Sequence, residues 1–289
     1  MDYVQQEITP ISEEDLFVVL NHPQAKFDYA GHFHSDYEIN LVLGGKGSRI
    51  VGDQVSEFEG IDLVMIGPNI PHRWIGENND DRHVVTIQFH KEFFDYPIIS
   101  KKIFYPIKKL MSDSNYGIEF SKETKEAIKG LILELPFKNG IDSVTVFFNI
   151  LNELAASPDQ KLILPTESKP ELAFRESKSR RVNKVINYIS QHFGDKITLE
   201  QVAESVGMSE SAFSHFFKKR TNRSFVDYLN DIRVGNAAKM LFETSHTISE
   251  ICYSSGFNNV SNFNRIFKKK KGQTPSKYRT DIQQIMTRF

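Results

Sequence analysis

Apolar positions along the chain follow two different periods, and the change of period divides it. Between residues 27 and 90, short runs at 38–43, 48–51, 63–66 and 84–89 are rich in Ile, Val and Leu. Turn clusters lie between them: Gly44-Gly45-Lys46-Gly47, Gly52-Asp53, Gly67-Pro68-Asn69 and the stretch 77–81. Short strands closely spaced by glycine-bearing turns predict an all-β barrel or sandwich. From Ser121 the spacing becomes helical. Ile128, Leu131, Ile132 and Leu135 share one face, Pro136, Asn139 and Gly140 break the chain, and Val144, Phe147, Phe148, Leu151 and Leu154 line a second face. The pair predicts a helical hairpin over 111–157, usable as a lid on the barrel (1–110) or as a dimerisation surface. Pro158, Pro165 and Pro170, among many charges, mark 158–179 as a linker.

The remainder, 180–289, repeats itself. Thr198-Leu199-Glu200-Gln201-Val202-Ala203 … Gly207-Met208-Ser209 lies against Thr247-Ile248-Ser249-Glu250-Ile251-Cys252 … Gly256-Phe257-Asn258. Further on, Phe213-Ser214-His215-Phe216-Phe217-Lys218-Lys219 lies against Phe263-Asn264-Arg265-Ile266-Phe267-Lys268-Lys269. A period of about 50 residues means one supersecondary unit built twice. Each copy reads as a short helix capped by Thr198 or Thr247, a turn at Gly207 or Gly256, and a second helix ending in Lys-Lys. That is the layout of a helix-turn-helix, whose second helix enters the DNA major groove. A helix over 225–241, about 25 Å long, joins the copies. It can hold two reading helices near the roughly 34 Å spacing of successive major grooves.

Charge agrees with this division. The whole chain carries 36 Lys and Arg against 37 Asp and Glu, a net charge of −1. Residues 178–289 hold 19 basic against 9 acidic residues, leaving 17 against 28 in residues 1–177. The basic half predicts a polyanionic partner, double-stranded DNA. The single Cys252 excludes a disulfide framework and a multi-cysteine zinc site, and fits a reducing, cytoplasmic setting. No apolar run approaches a membrane span, and the first residues lack the pattern of a secretory signal. A Gly-x-Ser-x-Gly elbow and a P-loop are absent from the sequence.

The stretch Gly256-Phe257 … Phe263-Asn264-Arg265-Ile266-Phe267-Lys268-Lys269 … Gly272-Gln273-Thr274-Pro275-Ser276-Lys277-Tyr278-Arg279 resembles the signature of the AraC/XylS family of bacterial transcription regulators, over about 180–282. The resemblance implies reading helices at about 210–219 and 259–270. It places base-facing residues at Ser211, Ser214 and His215 and at Ser261, Asn262, Asn264 and Arg265. Arg265 can pair bidentately with guanine and Asn262 with adenine. Lys218, Lys219, Arg220, Arg223, Lys268 and Lys269 are the expected phosphate contacts, which set affinity rather than sequence preference.

In the front half, His32-x-His34-x3-Glu38, then Gly45, Gly47, Gly60 and Pro68-x3-His72, resembles the two motifs of a cupin barrel. His32, His34 and Glu38 share strand parity and so one face, unless a bend at Asp36 turns Glu38 away. With His72 they form a candidate three-nitrogen, one-oxygen set for Fe, Mn, Ni or Zn. A metal-free cavity is the favoured alternative, so no cofactor is expected. Its polar lining would be His32, His34, Glu38, Arg49 and His72, with Trp74 and Tyr37 as stacking surfaces for a sugar-like effector.

The fold class expected is therefore α+β multi-domain: a cupin-type β-barrel with a helical hairpin, then an all-α domain of two helix-turn-helix units. Three functions compete: a ligand-responsive transcription regulator, a cupin metalloenzyme fused to a DNA-binding domain, and a DNA-architectural protein. An acidic sensor-like barrel has no use in the third. The regulator, a non-enzymatic activator, is the expected function and accounts for both modules, with RNA polymerase and a second copy of the chain as implied partners.

Overall fold

The computed structural model describes residues 4–27, 31–76, 82–166, 180–221 and 223–289. The turn cluster at 77–81 and positions 167–179 of the expected linker lie outside them. The chain divides into two units, Met1–Ala173 with Gln284–Phe289, and Phe174–Gln283. Each is described by itself.

The N-terminal unit contains β1 (Gln5–Gln6), β2 (Val18–His22), β3 (His32–Phe33), β4 (Tyr37–Val51), β5 (Gln54–Ile66), β6 (His72–Gly76) and β7 (His83–Phe89). After them come α1 (Tyr105–Ser114), β8 (Ile118–Glu119), α2 (Lys122–Glu134), α3 (Gly140–Ala156) and β9 (Lys161–Leu162). Strand β4 organises the sheet. Its first half pairs with β7, its second half with β6, and both halves pair with β5 across the Gly52-Asp53 turn. The turn expected at 44–47 is instead a bulge within this one strand, between Leu43 and Lys46. Gly44 and Gly45 take φ of 81° and 74° there, a region that costs other residues a Cβ clash. A bulge adds a residue to one strand only, so it reverses which parity faces inward. Before it Glu38, Asn40 and Val42 face the interior; after it Arg49 and Val51 do.

The opposite parity builds the main core. Ile39, Leu41, Leu63, Met65, Val85, Ile87 and Phe89 meet Ile128, Ile132, Phe147, Ile150, Leu151 and Leu154 from α2 and α3. Phe147, Leu151 and Leu154, the stripe expected to offer a dimer surface, are wholly buried against the sheet. Part of the expected linker is also folded: β9 pairs with β8, and Ile163 and Leu164 pack on the interior cluster of Val42, Val51, Val64 and Trp74.

The C-terminal unit is helical: α4 (Arg180–His192), α5 (Leu199–Ser205), α6 (Glu210–Thr221), α7 (Phe225–Glu243), α8 (Ile248–Ser254), α9 (Val260–Lys271) and α10 (Pro275–Ile285). Both short helices begin with a reciprocal capping box, Thr198 with Gln201 and Thr247 with Glu250. Gly256 turns the chain at φ 82°, and a Cβ there would lie 2.2 Å from the Phe193 carbonyl oxygen. Two cores form, one around Phe213, Phe217 and Tyr228, the other around Phe263, Phe267 and Leu241. Helix α7 serves both, giving Tyr228, Leu229 and Ile232 to the first and Val234, Ala237, Ala238 and Leu241 to the second.

The expected C-terminal domain ran to residue 289, but its end belongs elsewhere. Directly after α10, β10 (Met286–Arg288) pairs antiparallel with β2, and the Phe289 ring stacks on Phe17 at 4.7 Å within the N-terminal unit. No periodicity in three residues can announce such a strand.

Candidate functional site

Two clusters of chemistry emerge, one in each unit. In the C-terminal unit, α6 and α9 expose and bury equivalent positions in the same order from Ser211 to Lys219 and from Ser261 to Lys269. Phe213 and Phe217, like Phe263 and Phe267, anchor the helices inside. Ser211, His215, Lys218, Lys219 and Arg220 are exposed on α6; Ser261, Asn262, Arg265, Lys268 and Lys269 are exposed on α9; Ser214 and Asn264 are half-buried. Asn259 caps α9 by accepting from the Asn262 backbone N–H at 2.8 Å, and Arg265 Nη2 donates to Asn262 Oδ1 at 2.9 Å. The two α9 side chains with base-reading chemistry are therefore neighbours on one open face. Arg223 differs from expectation. Its guanidinium donates to Asp231 Oδ2 at 2.9 Å, and its side chain is mostly buried, so it is engaged within the protein rather than offered to phosphate.

In the N-terminal unit, β3 and β6 bring His32 and His72 into register, and His34 and Glu38 join them from the β3–β4 turn and the start of β4. One ligand atom from each of the four lies within 4.8 Å of the others. The bend at Asp36 exists, but it turns Asp36 toward Thr9 and His90 and leaves Glu38 in the cluster. His34 Nδ1 donates to the Asp36 carbonyl at 2.9 Å, and His72 Nδ1 donates to that of Ile70 at 2.8 Å. A carbonyl can only accept, so both rings turn Nε2 inward. Glu38 is held in place by Asn40 Nδ2 at 3.1 Å and Gln88 Nε2 at 3.0 Å.

Burial is the largest influence on His34, Glu38 and His72. It lowers the His72 pKa to about 3, helped by the charge of His32. For His34, burial is outweighed by the hydrogen bond and charge of Glu38, and its pKa rises. Burial also opposes ionisation of Glu38, but the surrounding imidazoles hold its carboxyl well below the ordinary carboxylate range. Neutral His72 thus presents a buried Nε2 lone pair, 3.6 Å from Glu38 Oε1 and, among the described residues, without a hydrogen-bond donor. Ring nitrogens oriented by outer carbonyls and aimed at a carboxylate are the donor arrangement of a transition-metal site. The residues present fit such an ion.

Arg49 and Trp74 belong to a different group. Arg49 is ion-paired with Asp62 and lies 2.8 Å from Glu119, and Trp74 Nε1 donates to Asp62 at 3.0 Å. Lys125 of α2 lies 3.7 Å from Asp62. Trp74 still touches the cluster, edge-on to His72 at 5.9 Å, but Arg49 is spent on Asp62 and Glu119. Tyr37 stacks on Phe89 on the helix-covered face of the sheet and is not part of the cluster. Asp62, Glu119 and Lys125 carry no motif, and sequence reasoning missed them.

Residues 202–281 match the family described as Helix-turn-helix domain. A helix-turn-helix-type transcriptional regulator of Staphylococcus aureus is 38% identical over 101 residues, 35% of this chain. The C-terminal unit carries an AraC-type helix-turn-helix domain. Its AraC-type domain is what that relative shares, since the chain spans 14% of the relative's length. AdaA of Bacillus subtilis, a bifunctional transcriptional activator and DNA repair enzyme, is 28% identical over 197 residues, covering 66% of this chain and 90% of AdaA. The crystal structure of ToxT from Vibrio cholerae covers 92% of this chain and 98% of its own, with 14% identity and a TM-score of 0.54. That likeness is one of fold: a sheet-rich N-terminal domain followed by a helical AraC-type domain.

Proposed function

We propose that the protein is a sequence-specific DNA-binding transcription regulator, acting as an activator, whose N-terminal unit binds a small-molecule effector. The observation that carries this reading is the duplicated surface of α6 and α9, where polar side chains face outward above a buried Phe pair and basic residues follow. Ser211, Ser214 and His215, with Ser261, Asn262, Asn264 and Arg265, read bases; Lys218, Lys219, Arg220, Lys268 and Lys269 hold phosphates. RNA polymerase and a second copy of the chain are the further partners of this reading, which assigns no catalysis to the chain. Duplex DNA selected from a random library by the full-length protein tests it. An enriched sequence, with affinity that falls steeply as salt rises, supports the reading. Undetectable or salt-insensitive binding defeats it.

A second reading concerns what the N-terminal unit binds. Four donor atoms within 4.8 Å of one another suit a single cation better than a sugar ring. His32, His34, Glu38 and His72 would hold a divalent transition metal, with Asn40 and Gln88 orienting Glu38. Such an ion would supply a Lewis-acidic centre able to take a further ligand from an effector. Elemental analysis of freshly purified protein, then DNA binding with and without chelator, separates the readings. One metal per chain with a response lost on chelation favours the metal sensor, and makes the enzyme alternative worth an activity screen. A metal-free protein that responds to an organic effector after chelation favours the cavity.

A further inference from the structure

The two cores of the AraC-type domain are separate, so packing alone does not lock one reading helix to the other. Helix α7 joins them, and at 19 residues it is about 28 Å long. One polar group lies where both reading helices end. Asp231, on the buried side of α7, has 4% side-chain exposure. Its Oδ2 accepts from Arg223, two residues beyond α6, at 2.9 Å. Its Oδ1 lies 2.5 Å from Lys270 Nζ, in the last turn of α9. A single carboxylate thus ties the C-terminal end of each reading helix to the same point of the helix between them.

The charge environment requires it. Lys218, Lys219 and Arg220 end α6, and Lys268 to Lys271 end α9. Like charges at two neighbouring helix ends repel, and Asp231 is the anion set among them. The position is particular to the first copy. Ser224-Phe225 … Tyr228 … Asp231-Ile232 aligns with Thr274-Pro275 … Tyr278 … Asp281-Ile282, but Asp281 is half-exposed near the end of α10. Buried ion pairs contribute little net stability, and their best-attested use is to fix register.

We propose that Asp231 is a positioning residue that fixes the separation of α6 from α9, and through it the spacing between the two base clusters the protein accepts. It touches no base; it acts through Arg223 and Lys270. The proposal rests on the DNA-binding reading above.

The test uses full-length protein and the duplex its wild type enriches from a random library. One base pair is inserted or deleted between the two clusters protected in that duplex. Wild type should lose roughly tenfold or more in affinity on either change, the scale of one mismatched base pair. Asp231→Asn keeps the shape and removes the charge. It should bind the best duplex more weakly, yet lose less than threefold on the spacing changes. Lys270→Met removes one arm only and should flatten the spacing preference part-way. A merely structural role predicts equal weakening on all three duplexes, and that result overturns the proposal, as does unchanged binding. If Asp231→Asn does not fold, judged by circular dichroism, Lys270→Met decides alone, and full spacing discrimination in it overturns the proposal. A library from which wild type enriches nothing defeats the DNA-binding reading itself, and this inference with it.

Discussion

Arg265 and Lys269 are four residues apart on α9, both exposed, and they should fail differently when removed. Arg265 is steadied by Asn262 and can form two hydrogen bonds to one guanine, so Arg265→Ala should cost about 1–3 kcal/mol at the preferred site and flatten its preference for one base. Lys269→Ala should weaken all duplexes about equally and make the salt slope shallower. Equilibrium titrations on matched and mismatched duplexes at several salt concentrations check both. Arg49 makes the opposite kind of residue-scale case. It is 1% exposed and paired with an equally buried Asp62, so Arg49→Ala leaves that carboxylate without its main partner. The expected loss is about 3–5 kcal/mol of unfolding free energy, read from urea titration, whether or not an effector is present.

Among the helices, α3 shows how an apolar stripe can be read two ways. Leu151 is wholly buried among the sheet residues and α2. Leu151→Ala should therefore cost about 2–5 kcal/mol of stability and leave the sedimentation behaviour of the folded protein unchanged. A change of oligomeric state without loss of stability would restore the interface reading. Thr247 of the second capping box belongs to the same scale, and Thr247→Ala should lower stability by about 0.5–2 kcal/mol, with an unchanged denaturant slope. Legibility in the sequence follows from how local the signal is. The helix-turn-helix repeat was readable because caps, turn glycines and buried Phe pairs recur within a few residues of one another. The four donors His32, His34, Glu38 and His72 were readable because strand parity places side chains without tertiary information. The bulge at Gly44 and Gly45 was not distinguishable from a turn, since both need positive φ. The burial of Phe147 depends on which surface covers it, and Asp62 and Asp231 are completed by Lys125 and Lys270, which lie far along the chain.

At the scale of the molecule, the last residues of the chain, Gln284–Phe289, belong to the N-terminal unit. Strand β10 is the neighbour of β2 on the side away from β7, with backbone hydrogen bonds from Leu16 and Phe289 continuing the ladder and Arg288 3.2 Å from Asp15. Cutting the gene into a sensor piece and a reader piece would therefore not produce two whole parts. The sensor piece would expose the unpaired N–H and C=O groups of β2 and the face of Phe17 that Phe289 covers, the kind of raw border at which proteins stick to one another. The reader piece would trail Met286 and Phe289 with nothing to lie against. Effector screens on the isolated front half should show aggregation that full-length protein lacks, measurable by light scattering, and supplying the missing strand as a synthetic peptide of residues 284–289 should suppress it.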